Sequence, residues 1–291
     1  MKQFTRYDSI LQKFGSNWHK IGQGASSIAY EVNDYIVRFP LADTFRYQKE
    51  EILLPSLKPY INIQIPQIKF FNEKISYSVH KKIKGVEWGI KTYAALPIKR
   101  KKLFIEDIAL FFYQLHNIPS SYFAKNLNIS LLKPYSLPTE KELFSVLHDR
   151  LSSKQIQHLY SYLQEIIQDH NNSLVLCHKD FWRTNSVVSD SHRLKGVFDF
   201  GNACFGERAE DFKTLFKPIY FSFLKEVLNV YNELTKENIS FQRVKQLQEI
   251  ECFYVFKYLN CFSDLKHCRR REWEKTLSQV LNFYYKHMNR I

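Results

Sequence analysis

Two short stretches decide the fold of this 291-residue chain: residues 174–185 read Leu-Val-Leu-Cys-His-Lys-Asp-Phe-Trp-Arg-Thr-Asn, and residues 197–201 read Val-Phe-Asp-Phe-Gly. The first places Asp180 and Asn185 in a loop after an apolar strand, and the second ends a strand at Asp199. One carboxylate can then take a proton from a substrate hydroxyl, while an amide oxygen and a second carboxylate hold Mg²⁺, which prefers oxygen ligands. This order is typical of the catalytic loop and metal loop of kinases.

Taken singly, these residues are ordinary, because Asp and Asn favour caps and turns. The full set in the required order is not expected by accident. We therefore predict that Asp180 is the catalytic base and that Asn185 and Asp199 bind Mg²⁺. His178 belongs to the same catalytic loop, and we expect it to brace the loop rather than to react.

The residues after Gly201 distinguish between classes of kinase. A protein kinase would continue with a long activation segment ending in Ala-Pro-Glu and would usually carry Lys two places after its catalytic Asp. This chain has Trp182 at that place, and residues 202–211 lead directly into a helical pattern around Leu215. The pattern favours a small-molecule kinase.

These motifs resemble the aminoglycoside phosphotransferases and their relatives among bacterial antibiotic and small-alcohol kinases. The resemblance covers most of the chain and includes Gly206 and Asp211 after the metal loop. Residues 28–40 and 82–86 are especially similar to the enzymes that modify the 2″ hydroxyl. The resemblance implies a two-lobed, protein-kinase-like α+β fold, with an antiparallel-sheet lobe, a larger, mainly helical lobe, and ATP or GTP between them.

A candidate phosphate loop lies at residues 22–27, Gly-Gln-Gly-Ala-Ser-Ser. Glycines let the backbone approach a phosphate closely, and Ser26 and Ser27 could add donors. A plain hairpin turn explains the two glycines equally well. Their position ahead of Arg38 favours the phosphate interpretation.

Arg38 lies on the second strand of a hairpin predicted around residues 33–34. The resemblance implies a nucleotide-contacting Lys here, paired with a Glu on the next helix; Arg keeps the charge but is planar and bulkier. Glu50 is the expected partner because it precedes Leu54 and Leu57 by four and seven positions and so shares their inward face. The alternative is a solvated helix Glu.

The periodicity predicts a nucleotide lobe at residues 1–84 and a mainly helical lobe at residues 85–291. At a hinge near residues 80–84, the backbone at Lys81 and Ile83 would contact the purine, so the side chains do not distinguish ATP from GTP. Predicted strands are 18–21, 27–31, 35–39, 68–71 and 75–79; predicted helices are 5–14, 44–57, 101–116, 140–151, 154–170, 212–234, 241–265 and 271–287.

Composition is that of a folded protein, with 45% hydrophobic and 16% aromatic residues. Neither an apolar leader nor a run of about eighteen apolar residues is present, so we expect a cytoplasmic protein without a membrane partner. The five cysteines are scattered without a Cys-x-x-Cys pair, which indicates neither a zinc site nor a disulfide framework. We expect a monomer.

The net charge is +13, and basic runs occur at residues 99–102 and 269–271. Such runs can bind nucleic acid. Both runs begin amphipathic helical patterns, however, and no nucleic-acid-binding fingerprint accompanies them. We therefore expect solvated helix faces and no nucleic-acid partner.

The acceptor hydroxyl is less well defined. An aminoglycoside is a polycation and needs a pocket lined with carboxylates, yet the chain beyond residue 207 has more basic than acidic residues. The acids that could converge are Glu207, Glu210, Glu249, Glu251 and Asp264. Three alternatives stay open: an aminoglycoside kinase, a kinase of another small alcohol or sugar (choline, homoserine or amino sugar type), and, because of Arg38, a nucleotide-binding module without turnover.

Overall fold

A computed structural model describes residues 6–24, 27–41, 44–126, 132–133, 136–168, 174–261 and 270–288. The strands are β1 (Trp18–Gln23), β2 (Ser27–Val32), β3 (Tyr35–Pro40), β4 (Lys69–Phe71), β5 (Tyr77–Lys81), β6 (Val175–Cys177), β7 (Ser186–Val188), β8 (Leu194–Val197) and β9 (Cys204–Gly206). The α-helices are α1 (Asp8–Leu11), α2 (Phe45–Leu57), α3 (Ile90–Ala94), α4 (Ile98–His116), α5 (Ser120–Asn126), α6 (Glu140–Leu147), α7 (Ser153–Gln168), α8 (Phe221–Thr235), α9 (Phe241–Cys261) and α10 (Arg270–Met288).

The N-terminal part is a five-stranded antiparallel sheet in the order β1-β2-β3-β5-β4. Side chains alternate between its faces, as the period of two in each strand requires. One face packs an aromatic core in which Tyr7 of the N-terminal segment stacks on Phe39 at 4.0 Å between ring centroids. The opposite face carries Arg38, which pairs in register with Ala29 and Ser78.

The C-terminal part is mainly helical and packs around α4. Its apolar residues recur every three or four positions, so Phe104, Ile108, Phe112 and Leu115 are all buried. This stripe packs against α8. Two small sheets, β6–β9 and β7–β8, lie beside these helices. In the first sheet the buried Cys177 and Cys204 face each other directly.

The α+β class, with an antiparallel sheet followed by a mainly helical part, is confirmed, but the predicted helix at residues 212–234 is wrong in its first half. Residues Arg208–Leu215 and Pro218–Tyr220 form 3₁₀ turns, and α8 begins only at Phe221. Pro218 has no N–H to donate, and it disfavours a helical conformation at the preceding residue. An α-helix therefore cannot run through this segment.

Other differences are smaller. The predicted helix 5–14 shrinks to α1 and helix 140–151 ends at Leu147, while the short β7, β9, α3 and α5 were not predicted. Basic residues 99–102 lie in the first turns of α4, and Arg269 is outside the described residues. Within the described ranges, none of the helices combines the length and apolar character needed to cross a membrane.

Candidate active site

The catalytic loop follows β6 and is anchored by a buried carboxylate. Asp211 accepts hydrogen bonds from the backbone N–H groups of His178 (2.9 Å) and Lys179 (2.6 Å). His116 Nε2 lies 2.9 Å from the same carboxylate, and His116 Nδ1 lies 2.7 Å from the Tyr231 hydroxyl. Burial alone would raise the pKa of Asp211, but the hydrogen bonds from His116 and from the Lys179 N–H bring it below its usual value.

His178 uses both ring nitrogens inside the protein. Its Nδ1 accepts a hydrogen bond from the Asp180 N–H (3.2 Å), and its Nε2 lies 3.2 Å from the Phe198 carbonyl oxygen. These partners assign the proton to Nε2. Burial lowers the pKa of His178, which favours the neutral ring. His178 therefore ties the catalytic loop to the strand that delivers Asp199, and its position suits bracing rather than proton transfer.

Asp180 stands partly exposed at the end of this loop. Asn202 donates a hydrogen bond to its carboxylate (3.2 Å), and the Asn185 amide donates to its backbone carbonyl oxygen (2.8 Å). Burial, followed by the charge of Asp199, raises the pKa of Asp180 to about 6. Such a carboxylate is ionised at neutral pH yet more basic than an ordinary Asp, as a general base requires.

The two residues predicted to hold metal offer suitable donors. Because Asn185 points its NH₂ group at the Asp180 carbonyl, its side-chain oxygen is left for a ligand. Asp199 has a left-handed backbone (φ 66°), and its side chain is 40% exposed with Oδ1 3.2 Å from an Arg38 nitrogen. An amide oxygen and a carboxylate are the hard ligands that Mg²⁺ prefers, so these residues fit that ion.

Arg38 connects the sheet lobe to the metal loop. Its guanidinium donates to Glu50 (2.9 Å) and to Asp199 (3.2 Å) and lies over the Tyr47 ring. Glu50 is fully buried, so it is not the solvated residue of the alternative interpretation. Burial raises the pKa of Glu50, and the charge of Arg38 opposes this shift. The planar guanidinium reaches two carboxylates at once, which a Lys ammonium would do less well.

The sheet face around Arg38 is polar. Ser27 lies on this face because it is two residues from Ala29, the register partner of Arg38. Ser78 and His80 share the face, and the buried Ser78 hydroxyl has no hydrogen-bond partner among the described residues. Burial lowers the pKa of His80 to about 4, so this ring is neutral at physiological pH. Ser26, the other serine of the candidate phosphate loop, lies outside the described residues.

The predicted hinge residues lie at the end of β5. Lys81 pairs in register with Tyr35 and points into solvent. The neighbouring Lys82 N–H already donates to the Asp34 carbonyl oxygen (2.7 Å). Ile83 packs closely over Gly196, where an added methyl group would lie 2.7 Å from Ile83 Cγ2. The side chain of Ile83 thus serves packing.

The acids considered for an acceptor pocket are paired with basic side chains. The pairs are Glu207 with Arg243, Glu210 with Lys179 and Lys213, Glu251 with Lys213, and Glu249 with Lys286 and His287. Arg243 holds Glu207 with two bonds of 2.6 and 2.8 Å. Asp264 lies outside the described residues. The charge of these four acids is therefore largely balanced within the protein.

An aromatic and basic surface borders the catalytic loop on the side of the 3₁₀ turns. The Thr214 hydroxyl donates to the Phe181 carbonyl oxygen, which fixes this segment against the loop. Lys217 lies 3.8 Å above the Trp182 ring, and Tyr220 meets that ring edge-on at 5.1 Å between centroids. Trp182 replaces the Lys of protein kinases, so the loop here presents an aromatic face.

Two residues of this centre, His116 and Tyr231, could not be recognised as functional from the sequence, where they occur within apolar helical patterns. The third, Asp211, was indicated only by the family resemblance. The signal that was available is a lone polar residue on the buried face of each helix. The role of these polar residues depends on contacts that are distant in sequence: His116 lies 95 positions from Asp211 and 115 positions from Tyr231.

The model of one protein family, described as "Phosphotransferase enzyme family", matches residues 17–236. The chain belongs to this family. It is thus an enzyme that acts as a small-molecule kinase, moving a phosphoryl group from a nucleotide to a hydroxyl group. The match spans both the sheet lobe and the catalytic and metal loops.

Several solved structures share this fold. The streptomycin–ATP ternary complex of APH(2″)-IIa is 22% identical, with a TM-score of 0.71 and 97% of each chain covered. The GDP complex of aminoglycoside 2′-phosphotransferase-IIIa is 20% identical, with a TM-score of 0.68 and 97% of each chain covered. Macrolide 2′-phosphotransferase MphH from Brachybacterium faecium is 13% identical, with a TM-score of 0.58 and coverage of 90% of this chain and 96% of that chain.

Proposed function

We propose that this enzyme transfers the γ-phosphoryl group of ATP or GTP to a hydroxyl of a small molecule, with Asp180 as the base. The observation that carries the proposal is that Asp180, Asn185 and Asp199 lie together, with Asp199 in contact with the Arg38 of the Arg38–Glu50 pair. Asp180 would orient the acceptor hydroxyl and take its proton. Arg38 would neutralise charge on the nucleotide, which would lie along the polar sheet face that includes Ser27.

We assign Asn185 and Asp199 as the Mg²⁺ ligands of the reaction. The bound ion would neutralise charge on the nucleotide phosphates. Lys81 and Ile83 would contact the purine through their backbone. We place the lobe boundary near residues 80–84 and the reaction in the cytoplasm, where nucleoside triphosphates are available. The enzyme would act as a monomer without nucleic acid.

Two acceptor classes follow from different observations. Structures of the same fold contain streptomycin or gentamicin, which makes an aminoglycoside hydroxyl the first candidate. The internal pairing of Glu207, Glu210, Glu249 and Glu251 favours a second, less cationic alcohol or sugar, because a polycation gains little from acids that are already neutralised.

A panel assay would decide between these acceptors. Aminoglycosides, amino sugars, choline and homoserine would each be incubated with ATP or GTP and Mg²⁺, with Asp180→Ala as the blank. Transfer to at least one acceptor that vanishes in Asp180→Ala is the expected result. Nucleotide binding without Asp180-dependent transfer to any of these acceptors would instead count against Asp180 as the base.

A further inference from the structure

Arg46 is a second arginine at this centre, and the proposed function has not used it. It lies at the start of α2, one turn before Glu50, so both side chains leave the same side of the helix. A methyl group placed on Gly201 would lie 3.3 Å from Arg46 Cβ, 3.5 Å from Arg46 Cδ and 3.5 Å from Asp199 Oδ1. The Arg46 side chain therefore runs along the backbone of the metal loop, beside Asp199.

Arg38 and Arg46 differ in whether a carboxylate balances the charge of the guanidinium. Arg38 is engaged by Glu50 and Asp199, whereas no carboxylate in the described ranges forms an ion pair with the half-buried Arg46. The guanidinium also acts on the catalytic base. Arg46 lies against Gly201, and the next residue, Asn202, donates a hydrogen bond to the Asp180 carboxylate (3.2 Å), so the backbone that Arg46 follows leads directly to the base. In keeping with this geometry, burial and Asp199 raise the pKa of Asp180 and the charge of Arg46 opposes that shift.

Asp180 and Asp199 define the path of the phosphoryl group under the proposed function, on which this inference rests. The acceptor oxygen would lie beside Asp180, and the nucleotide phosphates would lie beside Asp199. The Arg46 guanidinium, which has no ion-pair partner among the described residues, lies near both Asp180 and Asp199 and therefore beside the path of the phosphoryl group. We propose that Arg46 donates hydrogen bonds to the phosphoryl group during its transfer and is a further catalytic residue of this enzyme.

The step balances without any covalent change at Arg46. A bond forms between the acceptor oxygen and the γ-phosphorus while the bond from that phosphorus to the bridging oxygen breaks. The electron pair of the broken bond stays on the departing nucleoside diphosphate, and the acceptor proton passes to Asp180. Arg46 stabilises the negative charge on the three remaining phosphoryl oxygens, for which the forked guanidinium is better suited than an ammonium group.

Kinetics of Arg46→Ala and Arg46→Lys test the proposal, with Arg100→Ala as the matched control. Arg100 is an exposed arginine whose guanidinium binds the Ser191 carbonyl oxygen at the surface. We expect kcat to fall about 10²-fold or more in Arg46→Ala, with little change in KM for the nucleotide. Arg46→Lys should recover part of the rate, and added guanidinium ion should partly restore Arg46→Ala. Arg100→Ala should match the wild type.

Binding provides a readout that is independent of turnover. ADP or GDP with Mg²⁺ and aluminium fluoride imitates the phosphoryl group in transfer, whereas the diphosphate with Mg²⁺ alone does not. Arg46→Ala should lose affinity for the first combination and keep its affinity for the second. Equal losses for both, or an unchanged kcat, would overturn the proposal. If Arg46→Ala does not fold, Arg46→Gln and Arg46→Lys would be compared in the same way.

The two proposals fail differently. If the wild type shows no transfer that depends on Asp180, the proposed function is wrong. If transfer depends on Asp180 but not on Arg46, the proposed function stands and only the role of Arg46 is refuted.

Discussion

Asp199 and Asp211 are two carboxylates near the same catalytic loop, and they differ in exposure and in hydrogen bonding. Asp211 is 0% exposed and receives two backbone N–H groups as well as His116. Asp199 is 40% exposed, meets Arg38 through one oxygen and sits on a left-handed backbone. The carboxylate that holds the loop has its bonds completed within the protein, whereas the one proposed for chemistry keeps an oxygen available in a less favourable conformation.

Replacement of Asp180 should give the largest effect, because it removes the base and leaves both of these carboxylates in place. We expect Asp180→Asn to lower turnover by roughly 10²–10⁴-fold. Thermal stabilisation by nucleotide with Mg²⁺ should remain nearly intact. Phosphate-transfer rates and thermal shifts, measured with nucleotide in the presence and absence of Mg²⁺, check both statements.

Asp199→Asn serves as the contrasting variant in the same experiment. It should lose turnover together with the extra stabilisation that Mg²⁺ gives over nucleotide alone, because a charged ligand is removed. Full activity in Asp180→Asn, or equal loss of the Mg²⁺-dependent shift in both variants, would refute this division of roles.

Asp211→Asn should act on stability rather than on metal binding. The amide cannot accept the same set of hydrogen bonds from His116 and the two loop N–H groups, so buried donors lose their partner. We expect the free energy of unfolding to fall by about 3 kcal/mol. Urea denaturation of Asp211→Asn and Asp199→Asn side by side measures the difference, and an equal or larger loss in Asp199→Asn would contradict the comparison.

Arg38→Ala should weaken binding of Mg²⁺-nucleotide about tenfold, or 1.4 kcal/mol, because it removes the cation nearest to the expected phosphates. Calorimetric titration measures this directly. The substitution also leaves Glu50 buried without a counter-charge, so the double variant Arg38→Ala/Glu50→Gln is the control. Wild-type affinity in both variants would show that Arg38 is not a nucleotide contact.

The pH dependence gives the smallest effect. Because the pKa of Asp180 is raised to about 6, the base gains its proton as the pH falls through that value. The kcat/KM for the acceptor should therefore be flat near pH 7 to 8 and fall about tenfold per pH unit below 6. In Asp199→Asn any residual activity should extend to lower pH, since a negative charge that raises the pKa is lost. A limb near pH 4 in the wild type would contradict the prediction.

The strands of the sheet lobe could be predicted from the sequence because apolar and polar residues alternate regularly in them and clear turn residues such as Asn33 and Asp34 separate them. The spacing of Glu50 from Leu54 and Leu57 also indicated its inward position, and the structure buries it beside Arg38. Local periodicity decides such features. The helix predicted across Pro218 was wrong because apolar periodicity was followed through a residue that cannot continue a helix.

The network around Asp211 could not be predicted because its members come from three separate helical segments, α4, α8 and the 3₁₀ turn at Arg208–Leu215. Sequence spacing carries no information on such contacts. The pairing of Glu207 with Arg243 was hidden for the same reason. The acids alone suggested a pocket for a polycation, and only the fold places their cationic partners beside them.

The facing thiols of Cys177 and Cys204 provide a way to detect separation of β6 from β9. Both are buried on the strand pair that carries the catalytic loop, and burial keeps the pKa of Cys177 well above its usual value. With β6 and β9 paired they are shielded from alkylating reagents, which attack thiolates. The rate at which such reagents label these two positions would therefore measure how often β6 separates from β9, and slower labelling with a bound ligand would show how strongly the ligand stabilises this pairing.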